Sequence, residues 1–232
     1  MAGRFRYATN MSHILVPSHG PASWQELLAK PDLHWATGFS ARTIAHSWEA
    51  QNGWPPEVAL IIEQALGPTE LLLAIPEHKT ALPGGRTESQ SDVFALGRHS
   101  AGVVACTIEG KVNEEFGPTV AKWTRDITPG RQIRFDYLLK SLGLDDCPGD
   151  VHYQLLHRTV SALIEADKFA TKNAAMIVHS FSPEKMWFEC FARFVSLFGK
   201  TVEAGQPVTI STPDGHQLIL GWACGDDRYL TA

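Results

Sequence analysis

The feature that most constrains this chain is a pair of β-prone runs, residues 89–96 and 103–111, separated by only six residues, 97–102. The first run carries Val93 and Phe94, the second Val103, Val104, Thr107 and Ile108, and the connection Gly97-Arg98-His99-Ser100-Ala101-Gly102 is turn-like. Asp92 stands near the front of the first run, and Glu109 and Lys111 stand at the end of the second. Strand side chains alternate with period two, so Glu109 and Lys111 share a face. If the runs pair as a hairpin, Asp92 comes beside them. Two acids and an amine converging at a strand end suit a divalent cation and an activated water.

The rest of the chain supplies helices around this hairpin. Residues 23–30 carry Trp24, Leu27 and Leu28 at helical spacing, with Ser23 placed to cap them. Ser40 is the expected N-cap of a second helix through Ala50, stopped by Asn52-Gly53. A clearer one covers 55–66, with two prolines at its start, Gly67 just past its end and an apolar stripe through Val58, Ile61, Ile62 and Leu66. The run 70–75 is almost continuously apolar and fits a buried strand. After Lys111 come a short helix around Val120 and Trp123, helices at 131–142 and 151–169, and a strand at 174–181. Ser182-Pro183-Glu184 begins a further helix with an aromatic face from Trp187 to Phe198, read as core or a dimer surface. The chain closes with a hairpin, 207–211 and 217–223, around Thr212-Pro213-Asp214-Gly215.

At 232 residues, 44% hydrophobic and 19% charged, the chain has the composition of one globular α/β domain. A net charge of −5 gives no support to a wide basic nucleic-acid surface. Met1 to Gly20 contain only the short apolar run Ile14-Leu15-Val16, too little for a signal peptide, and no stretch approaches membrane-spanning length. Four scattered cysteines without a CxxC pair read as free thiols, so the expectation is a cytoplasmic protein with no membrane partner.

The order helix (55–66), strand (70–75), strand (90–96), strand (103–111), helices, strand (174–181), with Asp92, Glu109 and Lys111 in place, resembles the PD-(D/E)XK nuclease-like superfamily. That resemblance implies a restriction-endonuclease-like core, 55–181, with a mixed four- to five-stranded sheet flanked by helices. The N-terminal helical extension, 20–53, and the C-terminal helix and hairpin, 183–224, fall outside it. It further implies Mg²⁺ (or Mn²⁺) held by Asp92 and Glu109, with Lys111 orienting the attacking water. A nucleic-acid substrate follows, DNA ahead of RNA, along with a possible homodimer. Ser91 stands where the family name has proline.

Glu77-His78-Lys79 also spells E-x-K, but no acid-bearing strand precedes it, so the Glu109 copy is preferred. Many relatives add a glutamate from the preceding helix; Glu63 is the first candidate here and Glu57 the second. Gln154, His157 and Arg158, at i, i+3 and i+4 on the long helix, form one face, and in such relatives a polar residue there often faces the site. Glu88 and Gln90 flank Asp92 and stand within reach of the same cleft. No H-E-x-x-H, Walker A, G-x-G-x-x-G or G-x-S-x-G pattern occurs. The alternative to a Mg²⁺-dependent nuclease is a nuclease-like fold that no longer cleaves and serves as a binding or assembly subunit.

Overall fold

Six strands form one mixed open sheet in a computed structural model that describes residues 18–28 and 31–232. Ile14-Leu15-Val16, Ala29 and Lys30 lie outside the described residues. Strands β1 (Glu70–Thr80), β2 (Ser89–His99) and β3 (Gly102–Lys111) make an antiparallel meander. The chain then crosses over, and β4 (Asn173–Ser180) pairs parallel with β3. The closing hairpin, β5 (Pro207–Ser211) and β6 (Gln217–Cys224), docks with β6 parallel to β4 and β5 at the edge, giving the order β1-β2-β3-β4-β6-β5.

Alternation along the strands divides the interior into two cores. Phe94, Leu96, Ala105, Met176 and Val178 face a layer of helices α4 (Val120–Thr124), α5 (Pro129–Leu142), α6 (Tyr153–Lys168) and α7 (Phe188–Ser196). Val93, Ala95, Cys106, Ile108 and Ile177 face the opposite layer, built from a 3-10 turn (Pro21–Leu27), α2 (Ser40–Glu49) and α3 (Pro56–Leu66). The four-residue α1 (Pro31–His34) precedes α2. Because both faces of β2 to β4 are covered, those strands read as continuous apolar runs. Close backbone approach is paid for with glycine: a Cβ at Gly221 in β6 would stand 2.4 Å from Ile61 Cγ2, so α3 lies directly against that strand.

Several expectations are corrected. The sheet has six strands rather than four or five, because the C-terminal hairpin extends it instead of standing outside. The first strand runs to Thr80, past Pro76; β1 is an edge strand, where a residue without an N–H leaves no ladder bond unmade. The segment 23–30 forms a 3-10 turn over Pro21–Leu27, its described part burying Trp24. Helix α7 begins at Phe188 instead of 182, since Lys185 and Trp187 take left-handed backbone conformations that a helix cannot contain. Its aromatic face is core: Phe191 and Phe194 are buried, with Phe191 packed against Trp222 of β6. The four cysteines are free thiols. Among the described residues no helix is long and apolar enough to cross a membrane.

Candidate active site

The end of β3 presents Glu109 and Lys111 to α6. Thr107, two residues earlier on the same face, donates from its hydroxyl to the Arg158 carbonyl at 3.0 Å, which fixes the helix over the strand. From that helix two side chains reach down. Glu109 Oε1 accepts from Gln154 Nε2 at 2.6 Å and from Lys111 Nζ at 2.9 Å, and Oε2 accepts from Arg158 Nε at 2.6 Å. Glu109 and Lys111 are each 4% exposed. Removing either partner of so buried a pair leaves an uncompensated charge. Arg158 also donates from Nη1 to Ser89 Oγ at 2.9 Å, and the same hydroxyl lies 2.9 Å from His157 Nδ1.

Asp92 enters from β2. Its Oδ2 accepts from the Gly110 backbone N–H at 2.6 Å, so it is anchored to β3 between Glu109 and Lys111. A third acid comes from β1. Glu77 sits between Pro76 and His78, which pair with Val93 and Ser91, and is therefore opposite Asp92. Its φ of 53° lies in the left-handed region, a costly conformation for a glutamate and one that recurs at functional sites. Gln90 Nε2 donates to Glu77 Oε2 at 2.7 Å. These groups line a pocket of about 350 Å³, closed on its far side by Phe39 and Ser40. There Glu114 accepts from the Ser40 N–H at 2.7 Å and the Val112 N–H at 3.0 Å, tying the start of α2 to the end of β3. Glu114 takes the capping role expected of the Ser40 side chain; Phe39 is the N-cap and Ser40 the first helical residue.

The three acids are not equivalent. Burial pushes Glu77 up to about 7, and the nearby Glu109 charge adds to this against the hydrogen bond from Gln90. Asp92 is raised well above the usual carboxylate range by burial, then by Glu109 and Glu77. Burial also opposes ionisation of Glu109, but Lys111 and Arg158 outweigh it and hold that carboxyl down to about 2. Glu109 is thus a fixed anion, while burial favours the protonated form of the other two acids. Burial and the Arg158 charge keep His157 neutral.

A family model described as a domain of unknown function matches residues 17–227. The chain belongs to that family, DUF6946. No curated protein and no solved structure matches it. In this DUF6946 domain, the expected Asp92, Glu109, Lys111 and Gln154 come together in one pocket with Arg158 and Gln90. Glu63 does not. It lies towards the C-terminal end of α3 and accepts from the Thr69 N–H at 3.1 Å, beside Glu70 and Arg98 at the opposite end of β1 and β2. Glu57 is also elsewhere, bonded to His179 Nε2 at 2.7 Å. Glu88 and His157 line a neighbouring cavity. Sequence reasoning missed Glu77, which was visible only within the rejected Glu77-His78-Lys79; the signal was an acid two residues before Lys79 on a strand that has to pass the Asp92 strand. Among the described residues no three His, Cys, Asp or Glu side chains stand close enough to hold a metal ion between them.

Proposed function

We propose that this domain is a metal-dependent phosphodiester hydrolase, a nuclease of the PD-(D/E)XK type. The observation that carries the reading is the convergence of Asp92, Glu109 and Lys111 from adjacent strands, with Gln154 and Arg158 of α6 holding Glu109 in place. The order helix, three-strand meander, helix, strand supports it as well.

The donor set fits Mg²⁺ or Mn²⁺. These hard cations need only one or two carboxylates beside water and phosphate oxygens, so an all-protein cage is not required. A carboxylate offers about four acceptor positions; three donors on Glu109 leave about one for a cation. Burial first, and the Glu109 charge after it, favour protons on Asp92 and Glu77, a cost that a bound divalent cation would relieve. Asp92 and Glu109 would hold the ion, which when bound supplies Lewis-acid stabilisation of phosphate charge.

The protein's own groups do the rest. Lys111 is held by Glu109 and lies over the Phe116 ring at 5.0 Å, so its ammonium has a defined position from which to orient the attacking water and meet charge building on the phosphate. Lys111 and Arg158 keep the Glu109 carboxylate ionised, and the hydrogen bond from Gln154 helps to aim it. Glu77, opposite Asp92, stands where it can exchange a proton at neutral pH.

The test is incubation of the purified protein with DNA and with RNA in Mg²⁺ or Mn²⁺. Cleavage is expected from the wild type and absent in Lys111→Ala and Asp92→Asn. Cleavage that survives Lys111→Ala overturns the assignment. A second reading, a nuclease-like fold kept as a binding or assembly subunit, is favoured by one observation: Glu109 is already engaged by three donors. It calls for no cleavage and no cation binding by calorimetry.

A further inference from the structure

The acidic pocket continues beyond its own walls. A second cavity of about 270 Å³ shares Lys111, Gln154 and Arg158 with it, and a third of about 250 Å³ shares Tyr153 and His157 with the second. The three make one groove across the first two turns of α6, ending beneath Gly84 and Gly85 at Arg131 and Arg134 of α5. Ser89 Oγ, bonded to Arg158 on one side and His157 on the other, links the acidic pocket to this far end.

The far end is a built site. Tyr153 is 8% exposed, and its buried hydroxyl lies beside the Arg134 guanidinium, a donor, with no acceptor for its own hydrogen. A buried hydroxyl hydrogen without an acceptor costs free energy unless a ligand supplies one. One ring wall is a rigid column: Arg131 lies 5.3 Å over the Trp123 ring, Trp123 stacks on Tyr153 at 4.0 Å and 10°, and Tyr153 leans on His157 at 4.8 Å. Because these rings cover one another, the column offers positioned donors and positive charge rather than a free face for a base. Arg134 is 8% exposed and spends Nε and Nη2 on the Pro83 and Leu82 carbonyls, which seats the Gly84–Gly85 turn on α5. A Cβ at Gly84 would stand 2.2 Å from the Gly130 carbonyl oxygen, so only glycine allows that seating. In a chain of net charge −5, Arg131 and Arg134 at this end face one carboxylate, Glu88, whereas the acidic pocket holds Glu77, Asp92, Glu109 and Glu114.

We propose that the Arg131–Tyr153 end of the groove is a phosphate subsite for a nucleic-acid backbone, taking a further phosphate of the strand whose scissile phosphate enters the acidic pocket. The inference rests on the nuclease reading for the identity of the strand, but its test does not require cleavage. Arg131 supplies the charge, the Tyr153 hydroxyl supplies a neutral donor, and Arg134 positions the turn that closes the site.

The measurement is fluorescence anisotropy of a short fluorescein-labelled single-stranded oligodeoxynucleotide in EDTA, across a salt series. Arg131 is exposed and Tyr153→Phe keeps the ring column, so both variants are expected to fold, checked by circular dichroism. Arg131→Ala should weaken binding about tenfold and lower the slope of log K against log salt by about 0.7, the loss of one phosphate contact. Tyr153→Phe should weaken binding with the slope unchanged. Lys111→Ala, tested separately for cleavage, distinguishes the two ideas. Arg131-dependent binding without cleavage by the wild type keeps the subsite and sinks the nuclease reading. Lys111-dependent cleavage with wild-type binding and salt slope in both groove variants does the reverse. No oligonucleotide binding by the wild type overturns the subsite outright.

Discussion

At the scale of single residues, the acidic pocket is defined by unequal carboxylates. Glu77 at about 7 lies above its ordinary value of 4.5, so between those pH values the folded protein keeps a proton that the unfolded chain has lost. Its contribution to stability therefore falls as pH rises from about 4.5 to about 7, and Asp92 acts with the same sign. Glu109, held at about 2, acts oppositely: its contribution is present above about 4.5 and is lost as pH falls towards 2. Glu77→Gln keeps an acceptor for Gln90 and removes the penalty. Its melting temperature at pH 8 should exceed that of the wild type by at least ~2 °C, in line with ~1 kcal/mol in a chain of this size, and converge with it below pH 4.5. Equal melting temperatures at pH 8 would contradict the elevated Glu77. Glu109→Ala leaves Lys111 and Arg158 buried without their anion, and urea unfolding should show a loss of about 3–5 kcal/mol. That makes it a poor probe of chemistry beside Lys111→Ala.

At the scale of elements, the site depends on strand ends held in register by helices. Helix α3 presses on β6 through Gly221, where a methyl group would collide with Ile61. Gly221→Ala should cost about 1–3 kcal/mol by overpacking, measured by chemical denaturation. Combined with Ile61→Ala, which removes the colliding Cγ2, the loss should be smaller than the sum of the two single losses; an additive double variant would place the strain elsewhere. On the opposite face, Arg158 and Gln154 serve the site only because α6 crosses β3 where Thr107 meets the Arg158 carbonyl.

For the whole molecule, the two-core architecture makes the N-terminal layer part of the fold rather than an appendage. Trp24, Ile44 and Trp48 are buried in the same core as Val93, Cys106 and Ile108 of the sheet, and Glu114 clamps α2 beside the acidic pocket. Removing residues 1–51 should leave a species with far-UV ellipticity that binds hydrophobic dye and lacks a cooperative thermal transition. A sharp transition in the truncated chain would show that the sheet holds its second face without this layer.

Local pattern determined a good deal by itself. Helices at 55–66, 131–142 and 151–169 differ by only a residue or two from Pro56–Leu66, Pro129–Leu142 and Tyr153–Lys168, because apolar periodicity and caps are local. The Asp92, Glu109 and Lys111 constellation was legible for the same reason: a short connection, only Ser100-Ala101 once the strands have paired to His99 and Gly102, sets the pairing, and alternation sets the face. Gln154 and Arg158 were legible as a helix face but not as the groups that bond Glu109. Tertiary structure alone decided the rest. Strand order is a matter of which edges remain open, so sequence could not say that β6 would slot beside β4, nor that an edge position would carry β1 past Pro76. Glu77 joins Asp92 only because β1 continues that far and turns left-handed at one residue, while Glu63, equally acidic and on the expected helix, is spent on the Thr69 N–H at the far end of the sheet. Nothing local distinguishes those two glutamates; which end of the sheet each reaches does.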